Sequence, residues 1–348
     1  MSSLELARAA YRDISLYAVD RTPCAVDLSD NTNLFGIPPS ARRELQEVAT
    51  STVTRYPPLY SGTLKAELAK YIGVSSEEVT TGCGSDDVLD SAIRAFAEPG
   101  DKLAFPDPTF AMIPIFAKMN ALLPMPVPLR SNWDIDAAAL LATGARVFYI
   151  CSPNNPTSTI ASRGELDKLV SNAEGVVILD EAYGEYARER WAPDAPSRPT
   201  LLVVRTMSKA FGLAGLRVGY AVGSPKLIAE VEKSRGPYKV NAVAERAAVA
   251  ALREDRDWVQ RGIEMVLANR SRFEAELRSL GFAPIPSSAN FVLFAVRDAV
   301  GLAKAMRSLG VAVRPFLKLP RIGDALRISI GPWEMMETAL SALRKATA

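Results

Sequence analysis

The chain has 348 residues, of which 48% are hydrophobic and 23% are charged, and this composition is typical of globular proteins. Its net charge of +2 at pH 7, with no block of basic residues, argues against a nucleic-acid partner or a charged membrane surface. The chain contains no histidine, which excludes histidine-dependent serine and cysteine triads and most zinc sites. Acid–base chemistry must therefore use lysine, carboxylate or tyrosine side chains.

Hydrophobic patterning and cysteine usage predict a cytoplasmic location. We expect no signal peptide, because the first residues lack a sustained apolar core, and no membrane-spanning run of apolar residues. The three cysteines, Cys24, Cys83 and Cys151, are far apart in the sequence, and none lies in a CxxC spacing. An odd number of widely spaced thiols is typical of a reducing compartment, and this spacing predicts no metal site.

Short apolar runs alternate with amphipathic segments as far as residue 223. The run 26–29 predicts a strand, the polar stretch 30–36 a loop, and Ser40 the N-cap of a helix reaching Thr50. Ser162 and Glu165 form a capping-box pattern at the start of a later helix. The pattern also predicts helices at 62–72 and from 85, and strands at 102–105, 146–151, 175–179 and 201–204. This alternation favours α/β layering around a mainly parallel sheet.

Polar side chains follow three of these predicted strands at the point where each strand ends. They are Asn155, Asp180 and Lys209. In open α/β sheets, ligands bind beyond the carboxyl ends of the strands. Three chemically distinct side chains at three such ends therefore predict a ligand site.

The pattern changes from residue 224 onwards. Helical stretches at 240–253, 256–280 and 298–309 alternate with strands at 290–296, 311–314 and 326–330, before a terminal helix. This mixture predicts a smaller α+β domain. We predict an N-terminal arm with part of the small domain at 1–35, a large domain at 36–255 and a small C-terminal domain at 256–348.

The most informative stretch follows the run 201–204 and places Ser208, Lys209 and Arg217 in a glycine-punctuated loop. A desolvated lysine amine forms Schiff bases, and a hydroxyl with a guanidinium can hold a phosphate. Together they point to pyridoxal phosphate, although a lone lysine after a strand is more often an ordinary loop residue. The upstream turn 82–87 has two interpretations: an anion site at a helix start, or capping of that helix by Ser85 or Asp86.

Read together, these segments resemble the fold-type I pyridoxal-phosphate-dependent aminotransferases, and within them the histidinol-phosphate aminotransferase branch. The resemblance spans residues 26–331. It implies a three-layer large domain around a mainly parallel mixed sheet, a smaller α+β domain, and a homodimer with shared active sites. Three motifs carry it, in the family's order and spacing: Ser152-Pro153-Asn154-Asn155-Pro156-Thr157, Asp180-Glu181-Ala182-Tyr183 and Ser208-Lys209-Ala210-Phe211-Gly212-Leu213-Ala214-Gly215-Leu216-Arg217-Val218-Gly219.

The resemblance implies a role for each matched residue at the cofactor. Lys209 matches the catalytic lysine that binds the cofactor and moves protons, and Asp180 matches the carboxylate that pairs with the pyridine nitrogen. Tyr183 and Asn155 match the pair that hydrogen-bonds the phenolic oxygen and lowers the pKa of the Schiff base. The other implied contacts are Phe110, which stacks on the ring, and a phosphate site formed by Ser85, Asp86, Ser208, Arg217 and, from the neighbouring subunit, Tyr56.

The resemblance also implies the substrates. Arg327 matches an arginine that binds a carboxylate, and Arg314 matches one that reaches a substrate phosphate. Tyr17 and Asn33 fall where the family's N-terminal arm and loop cover the site. The expected reaction moves an amino group between glutamate or 2-oxoglutarate and imidazole acetol phosphate or histidinol phosphate, so the expected partners are a small amino donor and a keto acceptor.

The chain departs from the family pattern at two positions. Thr32 stands where the family has the glutamate of an Asn-Glu-Asn-Pro loop, and Ser158 stands where it has a glycine. The first change keeps an aromatic or broad-specificity amino-acid aminotransferase open as an alternative. A phosphothreonine decarboxylase-like enzyme uses a similar scaffold. A non-catalytic regulatory domain of this fold is a further class, but it usually carries a DNA-binding module, which we do not expect before residue 26.

Overall fold

The computed structural model describes residues 6–16, 20 and 22–347. Its strands, numbered in chain order, are β1 (Val26–Asp27), β2 (Val79–Cys83), β3 (Lys102–Asp107), β4 (Leu123–Pro128), β5 (Val147–Cys151), β6 (Val176–Asp180), β7 (Leu201–Thr206), β8 (Val218–Gly223), β9 (Phe291–Ala295), β10 (Val311–Ala312), β11 (Arg314–Leu319) and β12 (Gly323–Ser329).

The α-helices in the described residues are α1 (Pro39–Gln46), α2 (Thr50–Thr54), α3 (Gly62–Ile72), α4 (Gly84–Phe96), α5 (Met112–Met119), α6 (Ala137–Ala142), α7 (Arg163–Asn172), α8 (Pro225–Arg235), α9 (Ala242–Glu254), α10 (Arg256–Ser279), α11 (Ala299–Ser308) and α12 (Trp333–Thr347). Short 3₁₀ helices lie at Ala9–Tyr11, Ser76–Glu78, Gly184–Tyr186, Ala192–Ser197 and Ala214–Leu216. Over the part of the chain that is described, we find no helix with both the length and the apolar character needed to cross a membrane.

The large sheet has the strand order β2-β8-β7-β6-β5-β3-β4. Neighbouring strands from β7 to β4 are parallel, whereas β8 is antiparallel to both of its neighbours. The mainly parallel mixed sheet predicted from the sequence is therefore confirmed. The register pairs Cys151 with Asp180 and Asp180 with Val204, so the ends of β5, β6 and β7 lie side by side.

Both faces of this sheet are covered, because alternate side chains of its strands enter two separate cores. In β5, Phe148 and Ile150 pack in a core that includes residues of α3 and α9. The alternate residues Val147, Tyr149 and Cys151 pack in a second core with α4, α5 and α8. Burial on both faces explains why these strands are continuous runs of apolar residues, and it produces the predicted three layers.

A second, antiparallel sheet has the order β11-β12-β9, and β1 pairs in parallel with β10. The sequence predicted one strand at 311–314, but the chain instead changes partner at Val313, from β1 to β12. This change puts Arg314 directly opposite Arg327. The domain boundaries at 35/36 and 255/256 stay predictions.

Two predicted helix caps differ from the structure because tertiary partners compete with local ones. Ser40 lies inside α1 and donates both its backbone N–H, at 2.9 Å, and its hydroxyl to Asp255. Ser162 does cap α7 by accepting from the Glu165 N–H at 3.4 Å. The Glu165 carboxylate, however, accepts from the Ala137 N–H at 2.8 Å, so the reciprocal half of the capping box is absent.

Candidate active site

A cavity of about 390 Å³ opens beside the carboxyl ends of β5, β6 and β7. The loop after β1 and the strands β11 and β12 complete its wall, so distant parts of the sequence meet there. Of the residues predicted for the site, the structure brings to this wall Ser85, Asp86, Phe110, Asn155, Asp180, Tyr183, Ser208, Lys209, Arg217, Arg314 and Arg327.

Lys209 lies just after β7 and is half-buried. Its Nζ donates to the Asp30 carbonyl at 3.3 Å and lies 5.6 Å from the centre of the Tyr183 ring. Burial, and then the positive charge of Arg327, lower the pKa of Lys209 to about 8. Roughly a tenth of the amine is therefore neutral at pH 7, far more than for an ordinary lysine with a pKa of about 10.4. A neutral amine is the form that attacks a carbonyl.

Asp180 is the last residue of β6, with only 3% of its surface exposed. Its Oδ2 accepts from the Tyr149 hydroxyl at 2.7 Å, and its Oδ1 accepts from the Ala182 N–H at 2.9 Å. Burial raises the pKa of Asp180 to about 6, although both hydrogen bonds work in the opposite direction. The side chain is therefore a fixed carboxylate at neutral pH, able to hold a cationic ring nitrogen.

Tyr183 and Asn155 line the same cavity and have partners on other elements. The Tyr183 hydroxyl accepts from Asn31 Nδ2 at 3.2 Å. Burial raises the pKa of Tyr183 above its usual value, so the hydroxyl keeps its proton. Asn155 Oδ1 accepts from Arg327 Nη1 at 2.6 Å. Together these contacts leave the Tyr183 hydroxyl able to donate a hydrogen bond. They also connect Asn155 to the three-stranded sheet β11-β12-β9, called the small sheet below.

One part of the wall is suited to an anion. The helix α4 begins at Gly84, and Arg217 reaches this region with Nη1 3.5 Å from Ser208 Oγ and Nη2 3.3 Å from Asp86 Oδ2. A Cβ on Gly219 would lie 2.2 Å from the backbone carbon of Gly84, so only glycine lets β8 pass so close to the helix start. Unpaired backbone N–H groups, the helix dipole and a guanidinium all favour a phosphate.

The alternative interpretation of this turn, capping by Ser85 or Asp86, does not match the structure. The helix α4 has no side-chain cap, and its start is held by Asp87, whose Oδ2 accepts from the Cys83 N–H at 2.9 Å. Lys239 Nζ lies 2.8 Å from the other oxygen of Asp87. The anion site is therefore the interpretation that the geometry supports.

Arg314 and Arg327 stand directly opposite each other on β11 and β12, and both line the cavity. Two like charges in this arrangement destabilise a strand pair unless anionic groups lie near them. Arg327 Nη2 donates to the Ser29 carbonyl at 2.7 Å. Its guanidinium lies 5.3 Å from the Phe291 ring and 5.4 Å from the Phe316 ring, and these contacts fix its orientation.

Two of the predicted residues that the structure describes do not line this cavity. Tyr56 is 84% exposed and stacks on Tyr238, with ring centres 4.9 Å apart. Asn33 lies behind the wall, where its Nδ2 donates to the Ala210 carbonyl at 2.9 Å. Tyr17 lies outside the described residues.

The structure adds site residues that sequence reasoning missed. Asp30 and Asn31 belong to a polar loop whose composition is typical of a simple turn, so only the fold reveals their contacts with Lys209 and Tyr183. Tyr149 lies inside an apolar strand. The one available signal was that a buried tyrosine hydroxyl usually needs a partner.

The chemistry of these donors fits pyridoxal phosphate. Within the described ranges, no group of three or more metal-binding side chains is placed to hold a metal ion. The cavity combines an amine of lowered pKa, a buried carboxylate, a phenol and a helix start suited to an anion. The fold and the site therefore define a fold-type I enzyme that uses pyridoxal phosphate.

Comparison with known proteins identifies the family. The model for "Aminotransferase class I and II" matches residues 24–343. A histidinol-phosphate aminotransferase of Thermoanaerobacter sp. (strain X514) is 31% identical over 346 residues, with 98% of each chain covered. An aromatic amino acid aminotransferase of Thermobifida fusca (strain YX) is 36% identical over 313 residues, which cover 87% of this chain and 85% of the other.

A solved structure shows the same fold. The histidinol-phosphate aminotransferase from Sinorhizobium meliloti, in complex with pyridoxal-5'-phosphate, has a TM-score of 0.87 at 24% identity, covering 99% of this chain and 97% of that chain. The present chain belongs to the class I and II aminotransferase family. It is a pyridoxal-phosphate-dependent transaminase, as predicted from the sequence.

The environment of Lys209 generates a prediction about pH. In the cofactor-free protein, trapping of a small aldehyde on Lys209 by borohydride should increase with pH around a midpoint near 8, because only the neutral amine reacts. Arg327→Met should move the midpoint upward, since it removes a neighbouring positive charge. Peptide mass spectrometry measures the label, and Lys209→Ala is the control. A wild-type midpoint near the ordinary lysine value of about 10.4 would contradict the assigned environment.

Proposed function

We propose that this transaminase moves an amino group from glutamate to imidazole acetol phosphate, which forms 2-oxoglutarate and histidinol phosphate, and that the reaction runs in both directions. The observation that carries this proposal is the pair of opposed arginines, Arg314 and Arg327, in one cavity with Lys209. Two guanidiniums fit one substrate with two carboxylates and another with a phosphate. The relative from Thermoanaerobacter carries the corresponding name.

The proposed cofactor contacts follow from the cavity wall. Ser85, Ser208 and Arg217, with the amides at the start of α4, would hold the phosphate. The Asp180 carboxylate would keep the pyridine nitrogen protonated, and Tyr149 and the Ala182 N–H hold that carboxylate in place. Tyr183 and Asn155 would contact the phenolic oxygen, and Phe110 would lie on the ring face. Asp86 would lie beside the phosphate, paired with Arg217.

Lys209 carries the proton transfers in both halves of the cycle. When bound, pyridoxal phosphate supplies the electron sink that stabilises a carbanion at the substrate Cα. Lys209 Nζ then removes a proton from Cα in one half-reaction and returns it in the other. Its low pKa suits this exchange, because a base that works near neutral pH needs a pKa close to that pH. The Asp30 carbonyl aims the amine into the cavity.

Each of the two arginines is proposed to bind a different anionic group of the substrates. Arg327 is fixed by Asn155 and Ser29 and would bind the carboxylate of glutamate. Arg314 starts β11 and would bind the phosphate of histidinol phosphate. Tyr17 and Asn33 are proposed to close the site over the substrate. Asn33 does not line the cavity itself, and its effect would be to hold in place the loop that contains Thr32, which does line the cavity.

Single half-reactions test this substrate assignment. Histidinol phosphate and phenylalanine are each mixed with the pyridoxal form, and formation of the pyridoxamine form is followed by absorbance. We expect faster conversion with histidinol phosphate, because phenylalanine offers no phosphate to the second arginine. Lys209→Ala should retain cofactor without a covalent bond and lose conversion.

Faster conversion of phenylalanine would favour the aromatic aminotransferase instead. Two observations support that second candidate: the neutral Thr32 in the cavity wall, and the 36% identity to the Thermobifida enzyme. Release of carbon dioxide without the pyridoxamine form would identify a decarboxylase.

Replacing each arginine by leucine separates the two anions. Arg314→Leu should weaken use of histidinol phosphate about 10- to 100-fold in kcat/KM, the effect of one charge-assisted hydrogen-bonded contact, with a smaller effect on glutamate. Arg327→Leu, the matched variant, should impair glutamate more than histidinol phosphate. Equal losses for both substrates in Arg314→Leu would refute its phosphate role.

The proposed assembly is a homodimer in which Tyr56 reaches the cofactor phosphate of the other subunit. An exposed apolar surface around Tyr56 supports it, with Val53 69%, Leu59 51% and Tyr60 43% exposed. Lys209→Ala and Tyr56→Ala chains, mixed at low cofactor concentration, should regain turnover, since one site of the mixed dimer is intact. A monomer in analytical ultracentrifugation would contradict the proposal.

A cytoplasmic location completes the proposal. All three cysteines are free thiols, and a reducing compartment keeps such thiols free. Recovery of the native protein in the periplasmic or secreted fraction of its source cells would contradict this location.

A further inference from the structure

We infer that Asn31 is a positioning residue that holds the Tyr183 hydroxyl with its proton directed into the cavity, and so couples the small sheet to the cofactor. The inference rests on the proposed role of Tyr183 at the phenolic oxygen. Asn31 is not one of the site residues predicted from the sequence. Its positioning role is inferred from its hydrogen bonds.

Four buried hydrogen bonds hold Asn31 in one orientation. Its Nδ2 donates to the Tyr183 hydroxyl at 3.2 Å, and its backbone N–H donates to Ser329 Oγ at 2.8 Å. The Ser329 hydroxyl donates back to Asn31 Oδ1 at 3.1 Å, and Asn290 Nδ2 donates to the Asn31 carbonyl at 3.0 Å. Asn31, Ser329 and Asn290 are each 1% exposed. With Ser329 donating to Oδ1, the amide directs its NH₂ to Tyr183.

This polarity decides what Tyr183 can do. A hydroxyl that accepts a hydrogen bond from Asn31 is free to donate its own proton elsewhere, and accepting one bond strengthens the bond it donates. Tyr183 lines the cavity, so that donation is directed to a ligand there. The backbone also favours asparagine here, because Asn31 has φ of 56°, a left-handed conformation that asparagine tolerates better than most residues.

The neighbours of Asn31 extend the same arrangement. Ser29, Asp30 and Asn31 are consecutive, and each contacts a different side chain of the site. The Ser29 carbonyl accepts from Arg327, the Asp30 carbonyl accepts from Lys209, and the Asn31 amide donates to Tyr183. One short segment thus sets the orientation of the three groups that carry the proposed chemistry. Through Ser329 and Asn290 it is anchored to the small domain.

The test is an absorbance titration of the holoenzyme, which reports the pKa of the lysine–cofactor Schiff base without any turnover. Asn31→Gly removes the amide without adding a charge and accepts the positive φ. Asn31→Asp keeps the shape and offers Tyr183 an acceptor only, and it also adds a negative charge. Each variant is made alone and together with Tyr183→Phe. Asn31→Gly leaves the ionisable groups around Lys209 and Tyr183 unchanged: Arg327, Asp30, Asp86, Arg217, Asp180 and Cys151.

We expect Asn31→Gly to raise this pKa by about half a pH unit, the effect of weakening one hydrogen bond to the phenolic oxygen. Asn31→Asp should raise it further, because its negative charge also favours the cationic Schiff base. With Tyr183→Phe present, Asn31→Gly should not raise it further. An equal rise for Asn31→Gly in both backgrounds would overturn the inference, as would no rise in Asn31→Gly protein that still binds cofactor while Tyr183→Phe alone raises the pKa. If Tyr183→Phe alone has no effect, the proposed role of Tyr183 itself fails.

Discussion

Keeping one amine out of water is the constraint on which this site depends. Lys209 needs a neutral fraction at working pH, and the protein obtains it by burial and by the nearby charge of Arg327. Burying a lysine costs stability, since the folded protein resists a charge that the unfolded chain accepts freely. The Asp30 carbonyl offsets part of this cost through one hydrogen bond to Nζ. The same burial that destabilises Lys209 thus makes it reactive.

Arg327 joins the parts of the molecule that create this environment. It belongs to β12 of the small sheet, donates to Asn155 beyond the end of β5, and donates to Ser29 in the loop after β1. A displacement of the small sheet would therefore change the charge near Lys209 and the orientation of Asn155 together. An anion bound at the Arg327 guanidinium would raise the pKa of Lys209, because it would reduce the positive charge that lowers that pKa.

Sequence reasoning succeeded where the signal was local and failed where a tertiary partner competed. Gly73 and Gly281 end α3 and α10 with positive φ, as glycine after an apolar pattern indicates. Ser40 and Glu165 carry good capping signals, yet their side chains or N–H groups bond to Asp255 and Ala137. The strand predicted at 311–314 is divided, because its first two residues pair with β1 whereas Arg314 pairs with β12. No local sequence pattern indicates this change of partner.

The sequence alone determined the α/β layering and the cofactor, and it predicted Lys209 as the lysine that binds this cofactor. Apolar runs that end in Asn155, Asp180 and Lys209 place those side chains at one edge of a parallel sheet, whatever the remaining details are. Only the tertiary structure decided that Asp30 and Asn31 orient Lys209 and Tyr183, that Tyr149 holds Asp180, and that two arginines stand opposed. These contacts join residues far apart in the chain, and their directions depend on packing and register, which residue type and spacing do not specify.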